Sequence, residues 1–258
     1  MRALALAVLV MAAVLPGPAA AATRIIIAPY VGSVTNSNAT YRIKDASELD
    51  AIYAQWMNTE KFQINSFYYR IPRINYSRVN DLQLSFDLYL KPSAVGKWVA
   101  GAGMEDQKTA MSAGGNIAPY TSFEMDKNIL FYYLRAGRYF YHKKGWLDAS
   151  LFPYIGYARE KTTGEAIINA AITKDVSSSD SYPLGGISIN TTFAQFIVLQ
   201  ANWMGWLGSF RNVDRMDEYT LTTGIYFSRH WGLSYRYKYK KYGPSASSYN
   251  LGSIVYLF

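Results

Sequence analysis

The sequence predicts an all-β protein: a transmembrane, antiparallel up-and-down β-barrel of about 12 strands. Three observations carry this prediction. Segments of about ten residues alternate between apolar and polar side chains, which is the period of a strand with one apolar face. Past the N-terminus, no run approaches the length of about 18 apolar residues that a membrane helix needs. The composition is 16% aromatic, with 23 Tyr, and only 17% charged, which suits a surface between lipid and water.

Residues 1–22 have the pattern of a cleaved signal peptide, which leaves residues 23–258 for the barrel. Arg2 gives a positive start, residues 3–15 are apolar, and three alanines at 20–22 offer a cleavage site. The apolar part is too short for a membrane anchor, which needs about 20 residues. An exported chain rarely meets nucleic acid, so we expect no nucleic-acid partner despite the net charge of +8.

The alternation is clearest in residues 82–91, where Leu82, Leu84, Phe86, Leu88 and Leu90 share one face. Globular strands average about five or six residues, whereas a bilayer-spanning strand needs about 9–11. Eleven segments fit this reading, at 23–34, 62–76, 82–91, 97–104, 130–140, 147–157, 184–192, 195–204, 219–228, 233–242 and 250–258.

The last segment, 250–258, ends in Phe258, with Tyr256 and Ile254 at alternating positions before it. It resembles the closing strand of Gram-negative outer-membrane β-barrel proteins of the porin-like kind. The resemblance implies that these three residues form an assembly signal read by the barrel-assembly machinery. It also implies location in the cell outer membrane, in contact with its lipid and lipopolysaccharide; it does not indicate an oligomeric state.

Bacterial single-chain barrels have an even number of strands, so a twelfth is required. It lies within 40–57 or within 118–125, and the sequence leaves both open. A rival interpretation of the first makes 47–57 a short helix, because Ser47 could cap it. The helical stripe would consist of Leu49, Ile52, Tyr53, Trp56 and Met57.

Counting back from a periplasmic Phe258 makes 159–182 a long outer loop, which is usually functional or mobile at such a length. Trp positions predict two interfacial belts, with Trp146 and Trp231 at one end and Trp203 and Trp206 at the other.

Enzyme activity is not predicted. The only two histidines, His142 and His230, fall in periplasmic turns, and neither a His-x-Ser pair nor a Gly-x-Ser-x-Gly motif occurs. With no cysteine there is no Cys-ligated metal, and we expect no cofactor, metal site or catalytic residue. An autotransporter translocator is not favoured, because strands begin directly after the signal segment.

The inward face predicts the function. By alternation it carries more basic than acidic residues, namely Lys91, Arg135, Arg236, Lys238 and Lys240 against Asp87 and Asp148. A basic lumen concentrates anions. We therefore predict a small porin-like channel for anionic or small polar solutes. The alternative is a closed barrel that acts as a scaffold, an adhesin or a partner in an envelope complex, and a lipid-modifying enzyme is less favoured than either.

Overall fold

The computed structural model describes residues 23–39, 43–58, 61–74, 77–93, 96–117, 120–169, 172–194, 196–206 and 216–258. The predicted signal peptide at 1–22 lies outside these ranges. The described residues form twelve strands, which are β1 Thr23–Asn38, β2 Ile43–Asn58, β3 Phe62–Ile74, β4 Ser77–Ser93, β5 Gly96–Ile117, β6 Tyr120–Lys144, β7 Leu147–Ile168, β8 Ile172–Phe193, β9 Ile197–Trp206, β10 Met216–Tyr226, β11 Trp231–Tyr242 and β12 Ser245–Leu257.

The twelve strands close into an antiparallel up-and-down barrel. Each strand pairs with its sequence neighbours, and β1 pairs with β12 from Ile26–Leu257 to Asn38–Ser245. Closure satisfies the edge N–H and C=O groups, for which bilayer hydrocarbon offers no partners. The predicted fold class is confirmed. We call the end of the barrel that holds Thr23 and Phe258 the terminal end, and we call the opposite end the distal end.

Among the described residues, no helix is long and apolar enough to cross a membrane.

The twelfth strand is β2, so the first of the two candidate segments is right and the helix at 47–57 is wrong. Ser47 pairs with Val34 and Ile52 with Pro29 in the ladder to β1. Leu49 is buried inside the barrel, whereas Ile52 is only partly buried. The segment carries apolar side chains on both the inner and the outer face of the barrel wall. Over a short stretch, apolar residues on both faces of a strand can have the same spacing as the apolar face of a helix.

The other candidate, 118–125, is not a separate strand: residues 120–125 begin β6, and residues 118 and 119 are outside the described ranges. The prediction of a long loop at 159–182 is also wrong. Its residues continue β7 and begin β8, and the two strands stay paired up to Ile168–Ile172. Both faces of this hairpin are rich in polar residues, so it lacks the apolar alternation that identifies a membrane strand.

The long hairpin belongs to a tall wall at the distal end. β6 has 25 residues and β7 has 22, whereas β9 has 10. A tilted strand of about 10 residues crosses the hydrocarbon, so β5–β8 project well beyond it. β8 pairs with β9 only from Leu184 onwards, which places the projection at the distal end.

The outer face carries a band of exposed apolar side chains. On β4 the members Leu84, Phe86, Leu88 and Leu90 are each 37% to 43% exposed. Other strands continue the band with Leu134, Ile155, Ile189, Leu199, Leu221, Leu233 and Ile254. A soluble surface rarely leaves so much contiguous apolar area in water, whereas the lipid face of a barrel requires it.

The inner face holds two clusters of buried side chains. The first lies on β1–β4 and β12 and includes Tyr30, Phe67 and Tyr249; the second lies on β5–β10 and includes Phe131 and Tyr154. Trp146 and Trp231 are exposed near the terminal end, in keeping with a belt there. Trp206 is not part of a distal belt, because it is buried inside the barrel and stacks on Tyr182 at 3.8 Å.

Candidate functional site in the barrel lumen

The lumen contains a cavity of ≈ 570 Å³ that we call the terminal cavity. Arg24, Ser228, Arg229 and Leu257 border it, so it reaches the terminal end of the barrel. Its volume is typical of small-molecule sites, which measure about 300–1,000 Å³. Its walls mix amides, tyrosines and charged side chains, including Gln55, Asn65, Asn190, Asn202, Tyr53, Tyr133, Arg135 and Arg236.

One wall is crossed by an ion pair between Arg135 on β6 and Asp87 on β4. The guanidinium Nη2 lies 2.7 Å from Asp87 Oδ2 and 2.9 Å from Oδ1, and Nε lies 3.1 Å from Oδ1. Gly101 on β5 is the register partner of both residues. The aromatic rings of Tyr133 and Tyr154 also lie within 5.6 Å of the guanidinium carbon.

Four charged side chains at the distal side of the terminal cavity form what we call the ion-pair layer, and Glu105, Glu218 and Lys238 of this layer line the cavity. Lys238 Nζ lies 3.0 Å from Glu218 Oε2, and Lys240 Nζ lies 2.7 Å from Glu105 Oε1. All four lie on the inner face, and Lys238 is 4% exposed. The acidic partners of Lys238 and Lys240 are therefore Glu218 and Glu105, and not the predicted lumenal acids Asp87 and Asp148.

A second cavity of ≈ 540 Å³ lies near the distal end, bordered by Arg73, Ser77, Met111 and Met125. Between the two cavities, at the height of the ion-pair layer, several side chains are fully buried. Asp81 is fully buried there, and its Oδ1 has no hydrogen-bond partner among the described residues. Val34 and Ala158 are also fully buried, and the hydroxyl groups of Tyr69 and Tyr249 lie 3.5 Å apart. The two cavities have no lining residue in common.

Arg236 differs from Arg135, Lys238 and Lys240, because it has no carboxylate within 4.0 Å among the described residues. Its Nε donates to Thr222 Oγ1 at 3.2 Å. Three aromatic rings surround its guanidinium carbon, Tyr53 at 5.0 Å, Phe67 at 5.1 Å and Tyr30 at 5.8 Å. Cation–π contacts of this kind hold an arginine in place without neutralising its charge.

The remaining predicted lumenal residues lie outside this group. Lys91 is in β4 near the terminal end, and its side chain is outside the described part of the structure. Asp148 is exposed at the start of β7, opposite Lys143 in the ladder to β6. A selectivity role for any of the seven residues stays a prediction.

The predicted assembly signal forms an aromatic cluster on the outer rim of the terminal end. Tyr256 packs edge to face on Phe258 at 4.5 Å and on Trp231 at 4.6 Å. Ile254 is exposed on the same strand face. Recognition of these residues by an assembly machine also stays a prediction.

Sequence reasoning missed Glu105, Glu218 and Asp81. Glu105 lies one residue beyond the predicted strand 97–104, and Glu218 lies one residue before the predicted strand 219–228. Extending the alternation of β5 by one residue puts Glu105 on the same face as Val99, and this signal could have found it.

Neither imidazole ring is hydrogen-bonded to a serine hydroxyl or a carboxylate within the described ranges. His142 is exposed, and His230 Nδ1 lies 2.9 Å from the carbonyl oxygen of Leu257. Over the same ranges, no group of three or more His, Asp and Glu side chains is placed to hold a metal ion.

No protein-family model matches the chain, and no curated protein matches its sequence. Solved structures, however, match its fold. The translocator domain of the autotransporter NalP from Neisseria meningitidis superposes with a TM-score of 0.59 at 13% identity, over 99% of this chain and 94% of that one. The β domain of the Bordetella autotransporter BrkA gives 0.52 at 9% identity, over 91% and 98%. The KdgM porin gives a TM-score of 0.42 at 8% identity, over 88% of this chain and 98% of that one.

The first two likenesses show that this chain has the closed β-barrel fold of those two autotransporter domains. At identities of 13% and 9% they define the fold alone, and the activity has to be argued from the lumen.

Proposed function

We propose that the protein is a porin-like channel of the outer membrane for small anionic or polar solutes, held closed at mid-height by the ion-pair layer. The observation that carries this proposal is the terminal cavity, a chamber of ≈ 570 Å³ inside the barrel whose lining combines polar and charged side chains with apolar ones. A solute entering from one end meets amide, hydroxyl and guanidinium groups before it meets the closed layer.

Stability alone does not account for this interior. Replacing a buried ion pair by well-packed apolar side chains is often neutral or stabilising. An apolar filling would therefore serve a purely structural barrel at least as well as the Lys238–Glu218 and Lys240–Glu105 pairs. Paired charges are instead suited to a layer that separates and becomes hydrated when a pathway opens.

Only part of the predicted basic lining contributes to an anion preference. Arg135, Lys238 and Lys240 each have a carboxylate partner, which cancels most of their field. Arg236 in the chamber and Arg24 and Arg229 at its mouth supply the surplus positive charge.

A non-conducting barrel is the second candidate, and the full burial of Val34, Asp81 and Ala158 favours it. Reconstitution into planar lipid bilayers separates the two functions. We expect discrete current steps with a low open probability, because the layer must rearrange before ions pass. No steps from protein that shows the heat-dependent gel mobility of a folded barrel would overturn the channel and leave the scaffold.

A paired variant tests the barrier itself. Changing Lys240→Gln together with Glu105→Gln removes the 2.7 Å ion pair and keeps a polar side chain at both positions. We expect a higher open probability. The control is Lys108→Gln with Asp106→Asn, which removes a 3.8 Å ion pair whose Lys108 side chain is 67% exposed. Equal open probabilities in both variants would place the barrier elsewhere.

A further inference from the structure

We infer that the terminal cavity binds a small, hydroxyl-bearing oxyanion, a carboxylate or a phosphate, with Arg236 as the anion-binding group. This inference rests on the proposed function, since it names the class of solute that the same lumen takes. Charge, donor geometry and the neighbouring wall support it independently.

The charges that line the terminal cavity do not cancel. Its three acids are Asp87, Glu105 and Glu218, and each has a cation within 3.0 Å. Arg236 has no acidic partner among the described residues. In a cavity with low-dielectric walls, this surplus attracts anions and repels cations.

Arg236 is also pre-organised as a donor. Thr222 fixes its Nε, and the rings of Tyr53 and Phe67 hold the guanidinium carbon at 5.0 Å and 5.1 Å. Its Nη groups donate no hydrogen bond to any described residue. Because a guanidinium is planar and weakly hydrated, two of its N–H donors match the two oxygens of a carboxylate or phosphate.

Next to Arg236 lies a connected wall of amides and hydroxyls on β2–β4. Asn65 Oδ1 accepts from Tyr53 Oη at 2.9 Å, from Gln55 at 2.9 Å and from Gln63 at 3.0 Å. Asn65 Nδ2 donates to Ser85 Oγ at 3.0 Å. Amides and hydroxyls can both donate and accept, so this wall suits the neutral hydroxyl groups of a solute.

Tyr53 joins the two parts of the site. Its ring faces the Arg236 guanidinium, and its hydroxyl group belongs to the amide wall. A ligand whose anionic group lies on Arg236 therefore has its body beside the wall. The cavity volume of ≈ 570 Å³ accommodates a molecule of about ten to fifteen non-hydrogen atoms with its water.

Isothermal titration calorimetry on the full chain, refolded in detergent, tests the site without requiring conduction. The probes are glucuronate, glucose 6-phosphate and glucose, which share a hydroxyl-bearing body and differ in the anionic group. We expect at least one of the two anions to bind at least tenfold more tightly than glucose. The anion that binds better identifies the ligand as a carboxylate or a phosphate.

The variant Arg236→Gln should bring anion binding down to that of glucose. The matched control is Arg138→Gln, since Arg138 also lies over two aromatic rings, Trp98 and Phe140, but on the outer face. It should bind as wild type does. If Arg236→Gln does not fold, the comparison of the anions with glucose on the wild-type protein still tests the site. Thr222→Val is a milder variant, which removes the hydrogen bond that orients the Arg236 donors and should weaken anion binding.

Two results would overturn the site: glucose binding as tightly as both anions, or undiminished anion binding by folded Arg236→Gln. Failure of the proposed function looks different, because anion binding with no current in bilayers removes the channel and keeps the site. Current in bilayers without Arg236-dependent anion binding would remove the binding site and keep the channel.

Discussion

Arg135 and Asp87 form an ion pair across an intervening strand, over the backbone of Gly101. The two side chains come from β6 and β4, and Gly101 of β5 is the register neighbour of both. A Cβ at this position would overlap Asp87 Oδ1 and come within 3.2 Å of Arg135 Nε. The absence of a side chain at 101 therefore permits the contact.

Gly101→Ala should destabilise the barrel by separating this ion pair. We expect the free energy of unfolding to fall by about 1–3 kcal/mol, the usual cost of overpacking. Guanidinium titration of the barrel in lipid, followed by tryptophan fluorescence, measures it. Gly252→Ala is the control, because nothing lies within 4 Å of a Cβ there. Equal stability of the two variants would show that Gly101 is not required for the contact.

Lys238→Met should be more damaging, because it leaves Glu218 charged and buried without a partner. The expected loss of unfolding free energy is about 3–5 kcal/mol. Adding Glu218→Gln to it should restore most of that loss, since no unpaired charge remains. The same guanidinium titration measures the stability of the single and the double variant. A double variant as unstable as Lys238→Met alone would contradict the pairing of Lys238 with Glu218.

The sequence predicted the parts of the fold where one face meets lipid. Leu84, Phe86, Leu88 and Leu90 alternate because hydrocarbon selects every second residue, and this pattern identified β4 directly. The sequence of the β7–β8 hairpin beyond the membrane instead predicts a loop, because water on both faces of the hairpin selects no alternation.

The lumen was harder to predict because its contacts join distant strands. Alternation indicated that Arg236, Lys238 and Lys240 share a face, but it carries no information about what lies across the barrel. Glu105 is 135 residues from Lys240, and only closure of the sheet brings them together. Because Lys238 and Lys240 are paired, the surplus positive charge of the terminal cavity lies on Arg236 and, at the mouth, on Arg24 and Arg229.

The C-terminal aromatic residue tests the assembly prediction. Deleting Phe258 should reduce the amount of barrel in the outer membrane severalfold, because the proposed signal loses its last member. Cell fractionation and heat-dependent gel mobility measure this amount. Phe227→Ala is the control, since Phe227 is also a strongly exposed aromatic residue at the terminal end. Normal assembly without Phe258 would contradict the resemblance of the closing strand.

Orientation can be tested with single cysteines, because the natural chain has none. Ser178→Cys, exposed on the tall wall, should react with a membrane-impermeant maleimide on intact cells. Lys144→Cys, exposed at the terminal end, should react only after the outer membrane is opened. Mass spectrometry quantifies the labelling, and the opposite pattern would invert the topology.

The most direct test of the account is the reversal potential of the reconstituted barrel under a KCl gradient. Wild type should prefer chloride, and the preference should weaken with salt as the Debye length falls from about 10 Å at 0.1 M to about 3 Å at 1 M. Arg236→Gln should shift the reversal potential towards potassium, whereas Lys238→Gln with Glu218→Gln should leave it nearly unchanged, because that pair contributes no net charge. A potassium preference in wild type, or a reversal potential that Arg236→Gln does not move, would contradict the central claim.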